Sequence, residues 1–147
     1  MKTSRFHRIL VVANETSEGR ALHTLIRSRA PDPGAVRVLL VAPALNSRFR
    51  YWLSDEDEAR HAAEDRLRRS LKLLDEAEIS AEGMVGDADP LQAIDDALRI
   101  FPADEIVIST HPEGRSNWLA RGLVERARCR FSQPIVHAVV EPARPAA

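Results

Sequence analysis

IVISTHPEGRSNWLARGLV, residues Ile106 to Val124, decides the reading of this chain. It opens as a continuous apolar run and passes through a loop holding Pro112 and Gly114. It then enters a segment with arginines, read as a helix from Ser116 to Arg130. A strand buried on both faces that hands over to a helix is the building unit of parallel α/β sheets. Loops at that handover are where such proteins hold phosphate groups, because free N–H groups and the helix dipole both favour an anion.

The same unit recurs on either side. Arg8 to Ala13 (RILVVA) and Val36 to Ala42 (VRVLLVA) are apolar runs bounded by polar residues, the second closed by Pro43. Between them, Thr16 or Ser17 is placed to cap a helix running to about Arg29, with Leu22, Leu25 and Ile26 on one face. Pro31-Asp-Pro-Gly34 breaks the chain after it. Ser54-Asp-Glu-Asp57 matches a capping box that opens the longest helix, with Ala63, Leu67, Ser70, Leu71 and Leu74 as its inner stripe. From Ile79 to Val85 the pattern changes to a period of two, which predicts a strand near a sheet edge. Asp89 followed by Pro90 is an N-cap with proline at the first helical position, and Leu91, Ile94, Ala97 and Leu98 form that helix's inner face up to Pro102. Glu105 to Ser109 is a fourth strand. Pro134 to Val140 (PIVHAVV) is a fifth.

Strand and helix therefore alternate throughout, which implies an α/β fold with a parallel sheet, right-handed crossovers and helices on both faces. The chain has 147 residues, enough for one domain with a sizeable core. No linker or repeat interrupts it, so we expect a single domain over residues 1–141 and a disordered tail over 142–147. A net charge of −1 gives no global case for nucleic acid or for an anionic membrane. No apolar run approaches the roughly 18 residues of a membrane span, and the N-terminal run is too short for a secretory leader. A single cysteine, Cys129, excludes an internal disulfide, and we expect a cytoplasmic protein with that thiol partly buried and inert.

In open α/β sheets ligands sit beyond the carboxyl ends of the strands, where the strand order switches. The candidate loops are Asn14 to Ser17, Ala42 to Asn46, Gly86 to Asp89 and Thr110 to Asn117. The first strand leading into Val12-Ala-Asn-Glu-Thr-Ser-Glu18, VGDADPLQAI at Val85 to Ile94, the strand EIVIS, GRSN followed by Gly122-Leu-Val124, and Gln133-Pro-Ile-Val136 together resemble the universal stress protein family over essentially the whole chain. The resemblance implies a five-stranded parallel sheet in the order 3-2-1-4-5, Rossmann-like, with the switch between the first and fourth strands. It implies a site for ATP or AMP formed by Ala13, Asn14, Val41, Ala42, Gly86, Ser109, Thr110, Gly114, Arg115, Ser116, Asn117, Gly122 and Val124. It also implies a homodimer paired through the last strand, Pro134 to Val140.

ATP-binding members of that family carry an Asp after the first strand and a loop of the form Gly-x-x-Gly, nine residues, then Gly-Ser or Gly-Thr. Glycine lets backbone N–H groups approach the oxyanions, and the hydroxyl adds a donor. Here Asn14 stands in the Asp position and Ser109 in that of the first Gly. Two further residues, including Pro112 with no N–H, precede Gly114, and Leu123 replaces the hydroxyl residue. Loss of one such hydroxyl bond is worth roughly 0.5–1.5 kcal/mol. Ser109 to Gly122 nonetheless keeps the family's overall span, and Gly114, Arg115, Ser116 and Asn117 read as an anion nest. Equally, Gly114 turns a loop, Ser116 caps a helix and Asn14 makes an Asx turn.

Elsewhere the plain readings are favoured. Asp87 and Asp89 read as caps rather than acids. Arg121, Arg126, Arg128 and Arg130 read as a solvated helix face. His111 stands alone, and His7, His23, His61 and His137 show no ligand spacing, so no metal is expected. The aromatic and basic segment Arg48 to Trp52 suits a lid or a dimer contact. No nucleophile elbow, Walker loop, dinucleotide fingerprint or carboxylate pair is present, so no enzyme is expected. The functional alternatives are a regulatory domain that binds a nucleotide or another phosphate-bearing ligand, and a dimeric interaction protein of the same fold without one.

Overall fold

The computed structural model describes residues 6–13, 19–29, 32–43, 56–87, 89–110 and 122–139. Among these residues five strands and four helices alternate: β1 (His7–Ala13), α1 (Gly19–Arg29), β2 (Val36–Pro43), α2 (Glu56–Glu76), β3 (Ser80–Gly86), α3 (Pro90–Ile100), β4 (Glu105–Thr110), α4 (Leu123–Arg130) and β5 (Ile135–Val139). A 3₁₀ turn, Pro33–Ala35, precedes β2. All pairings are parallel and the order is β3-β2-β1-β4-β5, as the resemblance implies. The chain steps outward from β1 to β3, then crosses back over β1 to β4. Right-handed crossovers in opposite directions put their helices on opposite faces of the sheet.

Two apolar layers result. Ile9, Val11, Val36, Val38, Leu40 and Val107 pack with Ile26 of α1 and Leu67 and Leu74 of α2. Leu10, Val12, Leu39, Val41, Ile106 and Ile108 pack with Leu91, Ala93, Ile94 and Ala97 of α3 and Leu123, Val124 and Ala127 of α4. The central strands bury both faces, which explains their unbroken apolar runs. Strand β3 stands at the sheet edge, as its period of two predicts: Ala81 and Val85, with the preceding Ile79, join the first layer, and Met84 packs against the second. A Cβ on Gly83 would lie 2.9 Å from Leu71 and 3.2 Å from Leu67, so α2 rests on this glycine.

The expected elements are present, with adjusted limits. Strand β2 includes Pro43, whose register partner is Gly86. The inner face of α3 includes Ala93, fully buried, beyond the residues expected from spacing. Cys129 is exposed, not partly buried. Helix α4 turns Leu123, Val124 and Ala127 inward, which leaves Cys129 outward between Arg128 and Arg130. The expected caps Thr16, Ser17 and Ser54, the first part of the fourth expected helix, the Arg48 to Trp52 segment, His111 and the tail fall outside the described residues.

Helix α2 ends in a Schellman motif. The Ile79 N–H donates to the Leu74 carbonyl and the Glu78 N–H to the Asp75 carbonyl, each at 2.9 Å. The motif needs a left-handed residue, and Glu78 takes that place with φ of 63°. A side chain there costs roughly 1–2 kcal/mol, partly offset by its smaller loss of chain entropy on folding. Glu78→Gly is expected to raise stability by about 0.5–1 kcal/mol. A urea midpoint that falls would show that Glu78 makes a compensating interaction.

Candidate functional site

The carboxyl ends of β2, β1 and β4 lie side by side. Ala13 registers with Ser109, Val41 with Val12 and Met84, and Ala42 with Val85. The switch in strand order therefore falls between Ala13 and Ser109. Side-chain alternation places Ala13, Ala42 and Ser109 on the α1/α2 face, with Val41 and Thr110 on the α3/α4 face. Of the candidate residues, the fold brings Ala13, Val41, Ala42, Gly86, Ser109, Thr110, Gly122 and Val124 to this end of the molecule. Asn14, Gly114, Arg115, Ser116 and Asn117 lie outside the described residues.

These residues divide by what surrounds them. Val41 and Val124 are core residues of the second layer. Gly86 is a packing position: a Cβ there would lie 2.8 Å from Ala93 Cβ and 2.9 Å from Val41 Cγ1. Gly122 is the N-cap of α4 and holds a left-handed conformation (φ 64°, ψ 36°) without a side-chain cap. Its carbonyl accepts from the Arg126 N–H at 3.0 Å, so glycine here is required by the backbone. Leu123, which stands where a hydroxyl is usual, is buried in the second layer, so the departure at this position serves the core.

The buried polar groups of this end are Ser109 and Thr110, 2% and 1% exposed. Among the described residues Ser109 has no side-chain hydrogen-bond partner. A buried hydroxyl without a partner is costly, and it stands at the strand switch. Thr110 is satisfied: its Oγ1 and His137 Nε2 share a hydrogen bond of 2.7 Å. Spacing along the chain did not single out His137. The pairing follows only from the parallel register of β4 and β5, in which Ile108 faces His137.

Asp89 caps α3, as expected, whereas Asp87 makes an Asx turn ahead of it. Asp89 Oδ1 accepts from the Leu91 N–H at 3.0 Å, and Asp87 Oδ1 from the Asp89 N–H at 2.9 Å. A second polar cluster lies at the opposite, amino end of the sheet. There Glu105, 5% exposed, accepts from Arg29 Nε at 2.7 Å and from His7 Nε2 at 2.6 Å. The neighbouring Asp104 Oδ2 accepts from the Arg8 N–H at 2.9 Å. It joins the ends of β1, α1 and β4 away from the strand switch and reads as structural. No group of three or more His, Cys, Asp or Glu among the described residues is arranged to hold a metal ion. No helix among them is long and apolar enough to cross a membrane.

No family model matches the sequence, and no curated protein matches it. Similar solved structures exist. A universal stress protein from Archaeoglobus fulgidus is 16% identical and superposes with a TM-score of 0.62, over 90% of this chain and 93% of that one. A universal stress protein crystallised in complex with cAMP is 18% identical, with a TM-score of 0.54 over 93% of this chain and 99% of the other. A protein described as hypothetical is 13% identical, with a TM-score of 0.53 over 94% and 99%. At these identities the likeness is one of architecture, and it extends over nearly the full length of each chain. The parallel sheet in the order 3-2-1-4-5, the helices on both faces and these neighbours agree: the chain has the universal stress protein fold.

Proposed function

We propose that this chain is a regulatory domain of universal stress protein type, binding a phosphate-bearing ligand between the carboxyl ends of β1 and β4. The observation that carries the reading is Ser109, a buried hydroxyl at the strand switch with no partner among the described residues. A ligand oxygen there satisfies it. An adenine nucleotide is the first candidate, in keeping with a neighbour of this fold that holds cAMP. Arg115 then pairs with phosphate, and Gly114, Ser116 and Asn117 supply donors. Asn14 contacts the nucleoside as a neutral group. The role is binding without turnover, in a reducing compartment such as the cytoplasm, where the free and exposed Cys129 persists as a thiol.

Calorimetric titration with ATP, AMP and cAMP tests the reading, and absence of heat at millimolar nucleotide sinks it. Ser109→Ala is expected to weaken binding about 2- to 12-fold, the worth of one neutral hydrogen bond. Gly114→Val is expected to abolish it. Unchanged affinity in both would place the ligand elsewhere. Phosphate release from ATP would overturn the non-catalytic assignment.

A second reading, a dimeric interaction protein without nucleotide, draws on the two sheet edges. Edge strand β3 exposes Ser80 and Glu82, features that discourage strand addition, whereas β5 is apolar and leaves Val139 56% exposed. Pairing of two copies through Pro134 to Val140 covers that edge. A monomer at micromolar concentration by ultracentrifugation would remove the dimer from either reading.

A further inference from the structure

Strand β5 has one strand neighbour, β4, and among the described residues two side-chain hydrogen bonds tie it to the rest of the fold. At its centre, His137 Nε2 meets Thr110 Oγ1 at 2.7 Å. At its amino end, Arg128 Nη2 donates to the Ile135 carbonyl at 3.3 Å. The second tie lies on the free edge. Since the Ile106 N–H donates to the Pro134 carbonyl, the Ile135 carbonyl one residue later points away from β4. Arg128 thus occupies an acceptor that an added strand would use.

Both ties spring from the elements that border the proposed site. Thr110 is the last residue of β4 and adjoins Ser109 at the strand switch. Arg128 belongs to α4, whose N-cap Gly122 is the next described residue along the chain. Thr110 is buried and His137 half-buried, so a change in the position of the β4 terminus passes to His137 through a part-buried hydrogen bond.

We propose that the Thr110–His137 and Arg128–Ile135 ties couple occupancy of the β1/β4 cleft to the order of edge strand β5, so that a bound nucleotide stabilises that edge. This inference rests on the reading that the cleft holds a phosphate-bearing ligand. By reciprocity, whatever orders β5 tightens the ligand by the same factor. The two ties are therefore positioning contacts and need not touch the ligand.

Hydrogen exchange of the full chain tests it, read at the Val136 and Ala138 amides, which alternation turns toward β4, with ATP saturation set by calorimetry on the same sample. ATP is expected to slow their exchange about tenfold in the parent chain. In a His137→Phe/Arg128→Met variant that still binds ATP by calorimetry, the slowing is expected to fall below about twofold. Slowing of equal size in the variant overturns the proposed route, and ATP binding without any slowing in the parent overturns the coupling. No heat with the parent chain overturns the cleft reading itself, and the coupling with it. If the double variant loses its cooperative thermal transition, His137→Phe and Arg128→Met are read singly; each is expected to reduce the slowing, and slowing of parental size in both overturns the route.

Discussion

Gly86→Val is expected to lower stability by about 3 kcal/mol, and the thermal midpoint by roughly 6–12 °C, with ligand or without it. The position follows a strand and precedes a helix, and its glycine reads from sequence as room for a ligand. The fold gives that room to α3. A Cβ at Gly86 meets Ala93 Cβ at 2.8 Å and Val41 Cγ1 at 2.9 Å, both closer than carbon atoms tolerate. Neither neighbour has freedom to withdraw, since Ala93 and Val41 are fully buried. The conformation of Gly86 is not left-handed, so no backbone strain enters, and the cost is one of collision alone. Gly86→Ala meets the same two atoms but gains from reduced chain entropy, and about 1–2 kcal/mol is expected. Differential scanning calorimetry of both variants separates the possibilities. Native stability combined with lost nucleotide binding would return Gly86 to the ligand.

Arg29→Met is expected to cost about 2–3 kcal/mol, a large effect for one surface-reaching side chain. Glu105 is the reason. Its side chain is 7% exposed and divides its oxygens between Arg29 Nε and His7 Nε2. Removing the arginine leaves one carboxylate oxygen buried without its cation, and that desolvation is what destabilises. Arg29 and His7 are each 39% exposed, so water moderates the loss below that of a fully buried pair. The converse follows from the same asymmetry. Adding Glu105→Leu to Arg29→Met removes the stranded charge and restores at least half of the stability. A double-mutant cycle by urea denaturation measures this coupling. If Arg29→Met shifts stability by less than about 0.5 kcal/mol, the cluster is an incidental surface network.

Much of the architecture could be read from residue order. The unbroken runs of β1, β2 and β4 announced strands buried on both faces, and the alternation from Ile79 to Val85 announced an edge. Asp89 and Pro90 marked the start of α3, and Asp89 does cap it. The site was read less completely. Ala13, Ser109 and Gly122 were named from the family resemblance, and the strand register brings Ala13 beside Ser109. Cys129 was misread as partly buried because the short α4 turns only three residues inward.

By itself, the sequence determined the alternation of strands and helices, the apolar faces of the central strands and the Asp89 cap of α3, because hydrophobic period and capping act over a few residues. The strand order was suggested by likeness, and the parallel pairings bear it out. Only the tertiary structure decided which polar groups meet. His7 and Glu105 are 98 residues apart, Arg29 and Glu105 are 76 apart, and Thr110 and His137 are 27 apart. It likewise decided that Gly86 serves α3 and that Arg128 covers the outer edge of β5. Such contacts depend on strand register and crossover direction, which set distances between remote residues and leave no periodic trace along the chain.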